Sequence, residues 1–157
     1  MMKITLIVVG KTKAAYLQDG IDDFMNRLKH YCRIDYIVVR EEKITSSKTD
    51  EFIISEEVNR IRLRLHPSSW AVALDVNGTS INSVEFAEFL SKRMNAGQSD
   101  ITFIIGGPLG LDASIRSLCK SRLSLSHLTL THDMTRLLLL EQIYRAFTIL
   151  NNEKYHK

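Results

Sequence analysis

The feature that most restricts this chain is a regular alternation of short apolar runs with longer segments of helical spacing. Ile4–Val9, Ile34–Val39, Trp70–Val76, Ile101–Ile105 and Leu125–Leu130 are brief and rich in β-branched or apolar residues. Between and after them lie Ala14–Tyr31, Glu51–Leu65, Ser83–Met94, Asp112–Lys120 and Asp133–Asn151. In the first of these helical segments Leu17, Ile21, Phe24 and Leu28 fall on one stripe. Strands that alternate with helices predict an α/β fold, an open and mostly parallel sheet with flanking helices. Pro67 stops the second helix, Asn77-Gly78 reads as a turn closing the third strand, and Ser83 is placed to cap the third helix. The polar stretch Arg40–Asp50 reads as an exposed, mobile loop.

No repeat, low-complexity tract or Pro/Gly-rich linker divides the 157 residues, so one domain spanning 1–157 is expected. A chain of this length buries enough apolar surface to need neither disulfides nor a structural metal. Cys32 and Cys119 lack Cys/His companions at metal-ligand spacing, and both read as reduced and structural. The run Ile4–Val9 is too short, and too quickly followed by Lys11 and Lys13, for a secretory signal. With no apolar stretch long enough to span a bilayer, a cytoplasmic protein is expected. Charge is uneven: up to Ile115 there are 14 Lys+Arg against 15 Asp+Glu, and from Arg116 onward 7 against 3. A basic C-terminal quarter suits a polyanionic partner, although ordinary surface lysines and arginines give the same count.

The last helix is apolar on more than one side. Leu137, Leu138, Leu139 and Leu140 cover a whole turn, and Ile143, Tyr144, Phe147 and Ile149 extend the surface. Such a helix is buried nearly all round, either against a second copy of the chain or within its own layer.

Open α/β sheets bind ligands beyond the carboxyl ends of their strands. There the chain offers Gly106-Gly107-Pro108-Leu109-Gly110, which lacks the Lys-Ser/Thr of a P-loop and the GxGxxG pattern. It is a ligand loop or a bare glycine turn. The Leu123–Leu130 segment, with Leu and small hydroxyl residues alternating, could present backbone groups to an adenine edge, or be a half-buried strand. His132, and Arg136 one turn further, could face a phosphate or a base, and His132 could equally be a polar residue of the helix entry. The terminal Tyr155-His156-Lys157 combines a stacking ring, a titratable imidazole and a cation, a set useful for nucleic acid, though chain ends are commonly disordered.

Taken in order, KITLIVVGK at the start, WAVALDVNG over 70–78, GQSDITFIIGGPLGLD over 97–112, LSLSHLTLTHDMTRLLLLEQIYRAF over 123–147 and the closing YHK resemble one family. These are the SPOUT-class large-subunit (23S) ribosomal RNA pseudouridine N3-methyltransferases. The resemblance spans nearly the whole chain and implies a C-terminal trefoil knot of the SPOUT type, contrary to the usual unknotted topology. It implies S-adenosyl-L-methionine as cofactor, held by Leu74, Gly106, Gly107 and the loop Leu125, Ser126, His127, Leu128, Thr129 and Leu130.

The resemblance further implies a homodimer acting on ribosomal RNA in the large subunit or assembled ribosome, without metal or membrane. In that reading His156 is the general base, Tyr155 stacks on or positions the target, and Arg145 supplies positive charge. His132, Arg136 and Lys157 contact RNA. A transfer-RNA methyltransferase of the same fold and a non-catalytic dimeric RNA-binding factor are the alternatives. An unrelated nucleotide-binding protein using Gly106–Gly110 for phosphates is a third.

Overall fold

The computed structural model describes every residue from Met1 to Lys157. Five strands, β1 (Lys3–Val9), β2 (Arg33–Val39), β3 (Trp70–Ser80), β4 (Asp100–Ile105) and β5 (Ser121–Ser124), form one sheet in the order β2-β1-β4-β3-β5. All four pairings are parallel, as the alternating pattern required. The helices are α1 (Ala15–Leu28), α2 (Asp50–Arg62), α3 (Ser83–Asn95), α4 (Ala113–Leu118) and α5 (His132–Leu150).

The pleat divides each central strand between two cores. Ile4, Leu6 and Val8 of β1, with Ile101, Phe103 and Ile105 of β4, join the cluster that includes Ile21 of α1, Leu90 of α3 and Ile143 of α5. Ile7, Val9 and Ile104 point the other way, against Val58 and Ile61 of α2 and Ile115 of α4. A strand buried on both faces reads as a continuous apolar run, which is why β1 and β4 stand out in the sequence. Side-chain oxygens open the later helices: Thr49 caps α2, Asp112 caps α4 and Thr131 caps α5. At α3 the cap is Asn82, not Ser83, with Glu85 reaching back to complete a capping box. The Ser83 hydroxyl instead donates to Gln142 on α5 at 2.6 Å.

Helix α5 lies beside both α1 and α3, and Leu139, Leu140, Ile143 and Phe147 are buried within this one chain. Gly20 of α1 leaves room for Leu137, since a Cβ there would stand 2.9 Å from a leucine methyl. The chain's own layer thus accounts for most of the apolar surface of α5, and Leu138 is half-buried.

Two strand boundaries depart from the sequence pattern. The fifth strand occupies Ser121–Ser124, and Leu125–Leu130 is a loop. The Ser124 hydroxyl donates to the Ser126 carbonyl, and the Ser126 hydroxyl accepts from the Leu128 N–H, curling the chain off the sheet just where the alternation continues. The third strand runs through Asn77-Gly78 to Ser80, because Asp75–Gly78 bulge outward: Leu74 and Thr79 both align with Leu123. The Arg40–Asp50 stretch carries no helix or strand before Asp50, yet it is tied down. Glu42 pairs with Lys48 at 2.7 Å and with Arg60, and its backbone N–H donates to buried Glu57 at 3.0 Å.

Candidate functional site

Beyond the carboxyl ends of β3, β4 and β5 a cleft of about 630 Å³ opens. That is the size range of sites for cofactor-sized molecules. Three pieces of chain wall it: the β3 bulge, the glycine loop after β4, and the loop between β5 and α5. Leu74, Gly106, Gly107, Leu125, Ser126, Leu128, Thr129 and Leu130 all line it, so most residues singled out for a cofactor meet in one place. His127 does not; it is exposed outside the wall.

Because 125–130 is loop and not strand, its backbone is unspent. Apart from Leu128, whose N–H takes the Ser126 hydroxyl, no peptide N–H from Leu125 to Leu130 has a hydrogen-bond partner in the chain. Leu74, Leu125 and Leu130 line the same cleft. Free peptide groups flanked by leucine faces suit a flat heterocycle that hydrogen-bonds at its edge and stacks on its faces.

The glycine loop has an internal reason for its composition. A Cβ on Gly106 would lie 2.9 Å from the Gly110 carbonyl carbon, so the loop closes on itself only with glycine there. Gly110 has φ +80°, and its N–H donates to the Gly107 carbonyl at 2.9 Å. The turn is held rigid, with Gly106 and Pro108 forming cleft wall.

The cleft's only formally charged lining residues, Asp75 on the bulge and Arg116 on α4, were not foreseen. Asp75 Oδ2 is 3.6 Å from Arg116 Nη1. Asp75 looks like part of a turn in the sequence DVNG, and nothing in the pattern places Arg116 beside it; the bulge brings them together. His132 lines the same cleft. Burial pulls its imidazole below the ordinary value, with Arg136 and Lys13 acting the same way against Asp133. A ring that is neutral near pH 7 serves as a hydrogen-bonding group and not as a cation for phosphate.

Arg136 overturns its expected role. It is fully buried, donating to the carbonyls of Gly10 at 2.8 Å and Val9 at 2.6 Å and to the Thr12 hydroxyl at 3.0 Å. Asp133 lies 3.5 Å from it. Its guanidinium clamps the end of β1 to the first turn of α5 and is inaccessible to RNA from this chain's surface.

The C-terminal residues are folded back on α5. Tyr155 packs edge-on against Tyr144 at 4.8 Å between ring centres, and its hydroxyl donates to Glu141 at 3.2 Å. Arg145 donates to Glu141 at 2.5 Å and 3.1 Å and lies over the Tyr155 ring. Arg145 Nη1 is 3.3 Å from His156 Nδ1. Arg145, Tyr155 and His156 therefore form one cluster, and Lys157 is exposed at its edge. None of them reaches the cleft. Thirteen helical steps lead from His132 to Arg145, about 20 Å at the rise of an α-helix.

The structure also narrows the basic character of the C-terminal quarter. Arg136 is internal, Arg145 is neutralised by Glu141, and Arg116 faces Asp75. No helix is long and apolar enough to cross a membrane. Both thiols are free, with burial pushing Cys32 up to about 12 and Cys119 up to about 11.

Among known proteins, the family described as "Predicted SPOUT methyltransferase" matches residues 2–156. Ribosomal RNA large subunit methyltransferase H of Carboxydothermus hydrogenoformans is 42% identical over 99% of this chain and 100% of its own length. The protein of the same name from Acetivibrio thermocellus is 41% identical with the same coverage. A crystal structure of a probable methyltransferase from Bordetella pertussis Tohama I superimposes with a TM-score of 0.56 at 10% identity, covering 92% of this chain and 95% of that one. A probable methylase family protein from Haemophilus influenzae gives 0.51 at 14% identity, covering 97% and 67%. These two share the fold. The chain belongs to the SPOUT methyltransferase family and, within it, to the group of ribosomal RNA large subunit methyltransferase H.

Proposed function

We propose that this protein transfers a methyl group from S-adenosylmethionine to N3 of a pseudouridine in the ribosomal RNA of the large subunit, acting in the cytoplasm as a homodimer. One observation carries the reading: a nucleoside-sized cleft at the strand ends, lined by leucines and by a loop, Leu125–Leu130, whose peptide N–H groups other than that of Leu128 are unbonded. The donor set fits S-adenosylmethionine, with an edge for adenine, apolar faces for its rings and one charged pair at Asp75 and Arg116. When bound, that cofactor supplies a methyl group already made electrophilic by its sulfonium.

The protein's remaining work is to align the acceptor nitrogen and deal with its imino proton. His156 is the proposed base. The Arg145 guanidinium donates towards Nδ1, which places the imidazole proton on Nε2. The lone pair that would accept the imino proton is thus turned towards Arg145 and becomes available when His156 swings off it. Arg145 stays paired with Glu141, but the same movement frees its Nη1 to donate to the developing uracil anion, while Tyr155 supplies a ring against which a base stacks. Lys157 is free for phosphate, and His132 for a neutral hydrogen bond at the cleft floor.

The separation of about 20 Å between this cluster and the cleft of the same chain favours a site shared by two subunits. Val76 and Leu128, both apolar and mostly exposed beside the cleft, offer a partner something to cover. A twofold partner would bring its tail to this cleft and receive this chain's tail in return. The trefoil knot belongs to the same proposal, supported by β5 pairing outside β3 after the chain has left β4, with both intervening loops meeting at the cleft.

Labelled-methyl transfer tests the substrate. Isolated subunits, assembled ribosomes and bulk transfer RNA, all from a strain lacking the protein, are incubated with it and labelled S-adenosylmethionine. Label in large-subunit RNA is expected. Label in transfer RNA alone, or RNA binding without label, would replace this reading with one of its alternatives.

A further inference from the structure

The cleft's lining contains one carboxylate and one guanidinium, and they are neighbours. Asp75 projects from the β3 bulge with 13% of its side chain exposed, and one of its carboxylate oxygens accepts the Asn77 N–H at 3.0 Å. The other faces Arg116 at 3.6 Å, too long for a hydrogen bond. An ionised carboxylate has about four acceptor sites, so this half-buried one keeps unused acceptor capacity. Arg116 is anchored through Nε to the Asp112 carbonyl at 3.3 Å, which leaves the ends of its guanidinium free to donate. The arrangement presents a fixed negative and a fixed positive group side by side, each with unused hydrogen-bonding capacity, in the wall of a nucleoside-sized cleft.

Resting on the reading above that S-adenosylmethionine occupies this cleft, we propose that Asp75 and Arg116 bind its zwitterionic amino-acid end. Asp75 takes the α-ammonium and Arg116 takes the α-carboxylate. The unbonded peptide groups of 125–130 belong to the nucleobase and the ribose hydroxyls are neutral, so the part of the cofactor that sets opposite formal charges side by side is an ammonium joined through one carbon to a carboxylate. Opposite charges 3.6 Å apart are its complement, and no other charged pair lines the cleft. The loose pair in the free protein is exchanged for two charge-assisted contacts with ligand, and discrimination follows: a nucleoside without the amino acid gains nothing from either residue.

The test is equilibrium binding by calorimetry to wild type, Arg116→Met and Asp75→Asn, with three ligands. S-adenosylmethionine carries the amino acid and the sulfonium, S-adenosylhomocysteine carries only the amino acid, and 5′-methylthioadenosine carries neither. Each variant is expected to lose about tenfold to hundredfold in affinity for the first two and to hold 5′-methylthioadenosine unchanged, which also shows that its cleft is intact. Equal affinity of variants and wild type for all three ligands overturns the proposal. So does a loss shared by 5′-methylthioadenosine, which would place the residues at the adenosine. An Asp75→Asn loss confined to S-adenosylmethionine would assign Asp75 to the sulfonium and overturn its pairing with the ammonium. Wild type that fails to bind S-adenosylmethionine at all would instead remove the underlying reading.

Discussion

Replacing Arg136 by Met separates a buried clamp from an RNA contact. Arg136 is 0% exposed and donates three hydrogen bonds, two of them to the carbonyls of Val9 and Gly10 at the end of β1. Methionine fills similar volume but leaves both carbonyls without their donor and the neighbouring Asp133 without its nearby positive charge. Hydrogen bonds to a charged group are worth about 1.5–3 kcal/mol each, and stripping one partner from a buried ion pair costs about 3–5 kcal/mol. These effects overlap, since they are the same guanidinium counted from different acceptors. A net loss of about 4 kcal/mol is therefore expected, a fall in Tm of about 8–16 °C for a chain of this size. Arg136→Lys should fall between, because one ammonium cannot reach both carbonyls and the Thr12 hydroxyl in fixed directions. Urea unfolding followed by circular dichroism at fixed protein concentration measures the loss, and the Asp133→Asn background measures coupling. With the guanidinium gone, Asp133→Asn should be less harmful than in wild type. A loss below about 1 kcal/mol, with RNA affinity reduced instead, would refute the clamp and return Arg136 to the exposed role expected from sequence.

Three further outcomes follow from named contacts. Gly106→Ala places a Cβ 2.9 Å from the Gly110 backbone, so the loop must shift; S-adenosylmethionine affinity should fall at least about tenfold by calorimetry, with about 1–3 kcal/mol lost in stability from overpacking. Lys48 and Arg60 hold the Glu42 carboxyl down at about 2, against an ordinary value of 4.5. Its contribution to stability is thus complete above about pH 5 and lost as pH falls towards 2, and Glu42→Gln should flatten that part of a pH-dependent melting curve. If the site is shared between subunits, mixing His156→Ala with Gly106→Ala, at a cofactor concentration too low for the Gly106→Ala cleft to bind, should restore about a quarter of wild-type methyl transfer, because half the dimers are mixed and each holds one intact site. A site built within one chain would give no recovery.

How much of this was legible depends on what each residue answers to. β1 and β4 were readable because burial on both faces forces apolar residues at every position, a local signature of a global fact. The alternation of Leu with small hydroxyl residues over 123–130 continues past the end of β5, and no local rule distinguishes a paired strand from a loop stapled by Ser124 and Ser126. Most of the cleft lining was legible through the glycine loop and the resemblance, but the glycines serve their own turn's closure more than a ligand's approach. Arg136 was misread because arginine is rarely fully buried, and its acceptors lie more than a hundred residues away. Asp75 and Arg116 were invisible because a bulge, which the sequence presents as a turn, makes them neighbours. The gap between tail and cleft is a matter of helix length and packing, and it is what turns a list of plausible catalytic residues into an argument for two subunits.

The most direct measurement is nucleoside mass analysis of large-subunit RNA after ribosomes from a strain lacking the protein are treated with it and S-adenosylmethionine carrying a heavy methyl group. The account predicts a single new heavy nucleoside that co-elutes with N3-methylpseudouridine and is absent when the cofactor is omitted. A heavy methyl on another base or on ribose, or none despite measured cofactor binding, would contradict it.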